Sequence, residues 1–287
     1  MTPIFSLIIP CYNEENAIEM TVDQLGQVLP SVSYQVIVVN DGSSDRTSEK
    51  LAALSMKYDW LTVVHHEFNL GYGAALKTGI MKSTADFIVI TDADGTYPNE
   101  RIGELLEVAA SCDMVVGARI ADDVTYPLIR KIPKWFLGAF VSWITGKKIP
   151  DMNSGLRVMR RDALIRFLSI LPSGFSFTTT ITLAMVTNSY DVQYVPIGYK
   201  QRIGNSKIRP IRDTLNFVQL IVRSGVYFAP LRVFLPVGLT LSFAFLASVS
   251  YDVFVLRNLT DKSVLFLLFA MNTVMFALLA DMIHKRT

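Results

Sequence analysis

Five short runs rich in β-branched residues, each closing on a polar loop, constrain this chain more than any other feature: Ser6–Pro10, Val36–Val39, Leu61–Val64, Phe87–Ile90 and Met114–Gly117. They read as buried strands. Helical stretches separate them, one reaching about Val28, one opened by Asn69-Leu-Gly-Tyr-Gly73 and carrying Lys77, and one ending near Ala110. Strands alternating with helices predict an α/β fold, Rossmann-like, around a mostly parallel sheet. Open sheets of this kind place ligands beyond the carboxyl ends of their strands. Tyr12, Glu14, Asp41, Asp92 and Asp94 are expected to gather at that edge.

The run Phe87–Ile90 leads into Thr91-Asp92-Ala93-Asp94. Two carboxylates one residue apart are hard oxygen ligands suited to Mg²⁺ or Mn²⁺ bridging to a diphosphate. A plain polar turn is the competing reading, since Gly95 and Pro98 make one anyway. Asp41, at the end of the second run, is placed to accept hydrogen bonds from a base or ribose. The Ser43-Ser44-Asp45 stretch beyond it can cap the next helix. Gly71 and Gly73, at a helix start, let backbone amides approach an anion. A net charge of only +2 implies no broad field for nucleic acid. Cys11 and Cys112 stand far apart with no CxxC or Cys/His pairing, which fits a reducing compartment and neither a disulfide scaffold nor a zinc site.

The apolar excess lies at the carboxyl end. Val233–Leu256 carries Asp252 as its only charge, and Ser263–Ala280 follows a short polar link. Each is long enough to cross a bilayer as a helix, which needs roughly 20 residues; two buried helices of a soluble core are the alternative. As spans they form a hairpin. Arg223, Arg232, Lys285 and Arg286 flank it, against Arg257 and Lys262 in the link, so the amino-terminal part is expected in the cytoplasm. Met1–Pro10 lacks a basic region followed by a cleavable apolar segment, so no secretory signal is expected. Lys131–Trp143 and Ile211–Phe228 mix basic, aromatic and aliphatic residues, as interfacial helices do; packing against the sheet is the rival. The expected organisation is a catalytic domain over 1–210, an interfacial helix over 211–229, and a transmembrane hairpin with a short tail over 230–287.

Pro10-x-Tyr12-Asn13-Glu14, Asp41-Gly-Ser-Ser-Asp45, Asn69-x-Gly71-x-Gly73 and Asp92-x-Asp94, in that order, resemble the family 2 glycosyltransferases of GT-A fold. The resemblance covers most of residues 4–210. It implies that Pro10, Tyr12, Glu14, Val39, Asp41, Asp92 and Ala93 hold a nucleotide, and that Asp92 and Asp94 hold a divalent ion on its diphosphate. Asp151-Met-Asn-Ser-Gly155-Leu-Arg157, Gly174-Phe-Ser-Phe177 and Arg202-Ile-Gly-Asn-Ser206-Lys207 are similar to polyprenyl-phosphate hexosyltransferases of the dolichol-phosphate mannose synthase type. Two positions depart from that pattern: Thr96 stands where relatives often carry a metal-contacting Gln, and Thr178 where many have an acidic residue.

What the resemblance implies is an inverting hexosyltransferase. It takes glucose or mannose from a UDP- or GDP-linked donor and passes it to polyprenyl phosphate, undecaprenyl or dolichyl. It would be an integral membrane protein of the plasma or inner membrane, or the endoplasmic reticulum in a eukaryote, contacting lipid and forming homo-oligomers through the hairpin. Arg119, Arg202, Ser206 and Lys207 are the candidate phosphate and acceptor ligands, Arg by a planar fork and Lys as a point charge; solvated surface cations are the alternative. Asp94 and Asp151 are the catalytic candidates, Asp151 to orient the acceptor or tune its charge, unless it is simply a loop turn. A lipid monophosphate is already mostly ionised at neutral pH and needs positioning rather than a base. Two other readings stand beside this one: sugar-to-sugar transfer onto a lipid-linked glycan, and a catalytically silent nucleotide-sugar-binding membrane subunit.

Overall fold

A computed structural model describes residues 3–29, 33–120, 141–143, 145–174, 176–198, 219, 222–223, 225–227 and 229–286. Seven strands form one sheet: β1 (Phe5–Cys11), β2 (Tyr34–Asp41), β3 (Leu61–His66), β4 (Phe87–Ile90), β5 (Met114–Arg119), β6 (Arg157–Arg160) and β7 (Val192–Ile197). Their order is β3-β2-β1-β4-β6-β5-β7. All five strands expected from the β-branched runs are present. β6 and β7 complete the sheet, and β6 runs antiparallel to both β4 and β5 in an otherwise parallel array.

Helices α1 (Ile18–Val28), α2 (Thr47–Lys57), α3 (Tyr72–Lys82), α4 (Ile102–Ala109), α5 (Arg161–Phe167) and α6 (Phe177–Thr187) accompany the sheet. Side chains alternate across each strand, so β1 sends Leu7 and Ile9 into one core, with Ile18, Leu25, Leu51 and Leu105 of α1, α2 and α4. Ile8 faces the other core, with Leu76 and Ile80 of α3 and Phe177, Ile181 and Met185 of α6. A sheet covered on both faces needs strands apolar throughout, and every residue of β1 is buried.

The chain divides into two compact units, Met1–Arg130 with Ile149–Asp213, and Lys131–Lys148 with Thr214–Thr287. The second unit contains α7 (Pro230–Tyr251), a π-turn over Asp252–Leu256, and α8 (Asp261–Arg286). Pro230–Leu256 and Asp261–Ile283 are long and apolar enough to cross a membrane. They pack as an antiparallel pair through small residues. Ser263, Ala270 and Ala277, seven apart, are buried on α8, and Gly238 of α7 lets Val274 come close. At the tip the Asp252 carboxylate accepts bonds from the Thr260 amide (2.9 Å), the Thr260 hydroxyl (2.6 Å) and the Ser263 hydroxyl (2.6 Å). The Ser263 and Ser248 hydroxyls meet at 2.7 Å. The interfacial stretches expected at 131–143 and 211–228 lie almost wholly outside the described residues.

Candidate active site

From β1 the chain steps outward to β2 and β3, then returns to place β4 on the other side of β1. The crevice between the carboxyl ends of β1 and β4 is therefore the switch point where open α/β sheets hold ligands. Pairing of these strands ends at Ile8 and Ile90, while β1 runs on to Cys11. Phe87 N donates to Ile4 O and Thr91 N to Ile8 O, so the even residues of β1 turn their polar groups toward β4. Pro10 falls in that series one step past the last pair, and a residue without an N–H costs no ladder bond there. Across β1 it is in register with Val39.

The loop after β1 is latched to the loop after β2. Asn13 takes the left-handed conformation (φ 53°), which Asn tolerates. Its amide donates to Ser43 Oγ (3.0 Å), and its side-chain oxygen accepts from the Ser44 amide (2.8 Å). The Glu14 and Glu15 amides bond Thr47 Oγ1 and Asp45 Oδ2. Asp45 Oδ1 also accepts from Thr47 N, the first amide of α2, at 3.0 Å; the N-cap position itself is Arg46, which makes no side-chain cap, so the serines and Asp45 do not cap from the position expected. These bonds fix the backbone just after Tyr12, whose ring is exposed.

Asp41 ends β2, where it is in register with His66. Its Oδ1 meets His66 Nδ1 at 2.7 Å and accepts from Leu70 N at 2.9 Å, while Oδ2 accepts from Gly71 N at 2.8 Å. His66 Nε2 in turn meets Thr78 Oγ1 at 2.9 Å. A carboxylate offers about four acceptor positions, and His66 at the end of β3 together with the loop ahead of α3 engages three of those on Asp41. The close packing around that loop needs glycines on its neighbours, Gly42 after β2 and Gly73 in the first turn of α3. A Cβ on Gly42 would lie 2.4 Å from the Phe68 backbone, and one on Gly73 would lie 2.2 Å from Pro172 O.

Asp92 and Asp94 follow β4 at the same edge. Asp94 is buried, and its Oδ1 accepts from the Thr96 amide (3.2 Å) and hydroxyl (2.7 Å). Thr96 is thus turned inward onto Asp94. The Asp92 carboxylate accepts from the Tyr72 hydroxyl at 3.2 Å and lies against Gly155, where a Cβ would meet both of its oxygens at 2.9 Å. Burial, and then the charge of Asp92, push the phenols of Tyr72 and Tyr97 well above their usual range. Among the described residues no group of three or more His, Cys, Asp or Glu could enclose a metal. Two carboxylates at a strand end, one of them cradled by a bare Cα, suit a hard cation that takes its remaining ligands from phosphate and water. The donor set fits Mg²⁺ or Mn²⁺.

The segment 151–157 knits this edge together. Arg119, at the end of β5, grips Asp151 with Nε (2.7 Å), Nη2 (2.9 Å) and its own amide (3.1 Å). Burial works against ionisation of Asp151, and the Arg119 fork and backbone amides overcome it, holding the carboxyl below its ordinary range. Asn153 Oδ1 accepts from the Thr179 hydroxyl. Gly155 N donates to Tyr97 Oη at 2.6 Å, and Leu156 O accepts from Gly117 N at 2.9 Å. Arg157 is fully buried, its guanidinium donating to Ser154 O, Thr178 O and Thr182 Oγ1. The Thr178 backbone is thereby held at the start of α6.

The switch-point edge collects Pro10, Tyr12, Glu14, Asp41, Asp92 and Asp94, together with the Arg119–Asp151 pair. Val39 and Ala93 differ: their side chains are core, Val39 with Ile37 and Ala75, and Ala93 with the cluster around α1. The Ala93 carbonyl accepts from Thr21 Oγ1 at 3.0 Å. Only backbone atoms of these two remain for a ligand. Arg202, Ser206 and Lys207 lie outside the described residues. Sequence reasoning passed over His66, Tyr72 and Tyr97, and assigned no role to Gly155 or Arg157. Tyr72 carried a signal, standing between Gly71 and Gly73, and Arg157 closes the Asp151–Arg157 motif.

Residues 6–168 match the family model described as glycosyl transferase family 2, and residues 229–285 match one described as the GtrB C-terminal hairpin. The chain is 29% identical over 210 residues to the undecaprenyl-phosphate mannosyltransferase of Micrococcus luteus, covering 70% of this chain and 86% of that one. It is 30% identical over 213 residues to the polyprenol monophosphomannose synthase of Mycolicibacterium smegmatis, covering 70% and 80%. Among solved structures, glucosyl-3-phosphoglycerate synthase of Mycobacterium tuberculosis, in complex with Mn²⁺, UDP and glucosyl-3-phosphoglycerate, shares the fold. The TM-score is 0.56 at 18% identity, over 78% of this chain and 79% of that one. That enzyme has also been crystallised with Mg²⁺ and UDP. With the matched model spanning more than half of its length, and a sheet of GT-A type beneath the motifs, the chain belongs to glycosyl transferase family 2.

Proposed function

We propose that this glycosyltransferase moves a hexose, glucose or mannose, from a UDP- or GDP-linked donor to polyprenyl phosphate at the cytoplasmic face of a membrane. The observation that carries the acceptor choice is the state of Asp151. Clamped in a fork by Arg119 and held ionised, it is a weak base. A sugar hydroxyl must lose its proton during attack, whereas a phosphate monoester arrives charged and needs only to be placed. Asp151 in this reading orients Arg119, and Arg119, with Arg202, Ser206 and Lys207, receives the lipid phosphate. The relatives named for undecaprenyl-phosphate and polyprenol mannosyl transfer support the same choice.

On the donor side, Tyr12 and Glu14 border the nucleotide and Asp41 organises the loop beside it, with Pro10, Val39 and Ala93 contributing backbone. Asp92 and Asp94 hold the divalent ion, with Thr96 orienting Asp94. A bound Mg²⁺ or Mn²⁺ would offset the charge growing on the departing diphosphate as the anomeric carbon becomes oxocarbenium-like. Residues 1–210 act as the catalytic domain, 211–229 as an interfacial helix and 230–287 as the membrane anchor.

The test is a panel of radiolabelled UDP- and GDP-sugars offered with polyprenyl phosphate. Transfer into a lipid product labile to mild acid is expected, because a glycosyl phosphate breaks more easily than a glycoside. An acid-stable product would point to sugar-to-sugar transfer instead. Asp94→Ala is expected to lower turnover about a thousandfold or more while the protein still folds. Full metal-independent activity in that variant would overturn the reading.

A further inference from the structure

Asp92 is held from two directions that do not depend on a ligand. Its carboxylate accepts the Tyr72 hydroxyl at 3.2 Å, and its other face lies on the Cα of Gly155, with no room for a methyl group between them. Both supports are themselves anchored. Gly155 is tied through its amide to Tyr97 Oη at 2.6 Å. Tyr72 opens α3 directly after Gly71, whose φ of 103° only glycine adopts readily, and whose amide donates to Asp41 Oδ2. Ala74 N donates to Ser173 O at 2.9 Å, and Gly73 packs against Pro172 O, so the first turn of α3 cannot shift toward that loop.

The geometry points to Tyr72 as a positioning residue: its hydroxyl, opposed by the bare Cα of Gly155, sets the rotation at which Asp92 meets the divalent ion. The inference rests on the reading of Asp92 as a metal ligand. It adds a mechanical link between two parts of the donor site. Asp41 fixes Leu70 and Gly71, these fix Tyr72, and Tyr72 fixes Asp92. A side chain free to rotate would have to be ordered each time the ion bound, whereas a preset one is not. Partners that orient a metal ligand without touching the metal change affinity by about 10–100-fold when removed.

The experiment titrates Mn²⁺ into full-length protein in detergent with saturating UDP or GDP, counting free Mn²⁺ from its paramagnetic resonance signal. Affinity for the same nucleotide without metal is measured in parallel. Wild type is compared with Asp92→Asn, Tyr72→Phe and Gly155→Ala. Asp92→Asn is expected to lose Mn²⁺ binding. Tyr72→Phe is expected to weaken it about 10–100-fold, and Gly155→Ala, whose methyl group displaces the carboxylate without removing the phenol, by a similar factor. Metal-free nucleotide affinity is expected to stay unchanged in Tyr72→Phe and Gly155→Ala.

Wild-type Mn²⁺ affinity in Tyr72→Phe, with Asp92→Asn inactive in binding, would overturn the inference while leaving the metal assignment standing. A loss of metal-free nucleotide affinity equal to the loss of Mn²⁺ affinity would also overturn it, because Tyr72 would then be supporting the whole site. Wild-type affinity in Asp92→Asn would remove the metal assignment itself, and the inference with it.

Discussion

Asp151 is defined by what surrounds it. The same carboxylate in an open loop would be a base of ordinary strength, and beside the Arg119 fork it becomes a fixed anion. Its pKa is lowered on folding, so the pair contributes stability above the unfolded carboxylate value of about 3.9. That contribution disappears as pH falls through the lower folded value. Asp151→Asn is therefore expected to cost roughly 1–3 kcal/mol near neutral pH, allowing for the partial exposure of Arg119. Its urea denaturation curve should converge with that of wild type in strong acid. A gap that persists at low pH would assign the loss to packing instead. Asp41 teaches the same lesson: its position at a strand end was legible, but its engagement with His66, Leu70 and Gly71 depends on a loop that comes 25 or more residues later.

At the scale of elements, the runs that read as strands are apolar on both faces, and periodicity finds such runs readily. β6 escapes it because Arg157–Arg160 is four residues with arginine at each end. Arg157 is buried only because Ser154, Thr178 and Thr182 come together to receive its guanidinium. β7 carries Pro196, which demotes a strand from sequence; as an edge strand it bears the missing donor. The hairpin was readable by length, but its contact face was not. Small residues set that face, and the 2.7 Å approach of the Ser248 and Ser263 hydroxyls gives it a test. Ser248→Cys with Ser263→Cys is expected to form an intramolecular disulfide on mild oxidation, scored by loss of thiol labelling that reductant restores. Both thiols remaining reactive after oxidation would contradict this pairing of α7 and α8.

For the molecule as a whole, the apolar side chains that line the outside of the hairpin, such as Phe243, Phe269 and Ile283, are exposed along both helices. Contiguous apolar surface of this extent marks contact with membrane or partner. Under the proposed cytoplasmic placement of the transferase, with basic residues favouring the outer ends of the hairpin, the link between α7 and α8 is predicted to be reachable from outside the cell. Asn258→Cys should react with an impermeant maleimide added to intact cells. A cysteine replacing the exposed Glu49 of α2 should react only after permeabilisation. The reverse pattern would place the transferase on the outer face.

Local order along the chain was enough to announce strands that end in polar loops, a pair of carboxylates at one of those ends, and a hairpin long enough for a bilayer. These are properties of neighbouring residues, and periodicity, turn chemistry and length carry them. Asp94 is held by Thr96 two residues on, but which groups hold Asp92 and Asp151 was settled by folding alone. Tyr72 and Gly155 reach Asp92 from 20 residues before it and 63 after it, and Arg119 meets Asp151 across 32. Contacts of that separation leave no repeating mark in a single sequence; they arise when the return of the chain across β1 brings distant loops to one edge of the sheet.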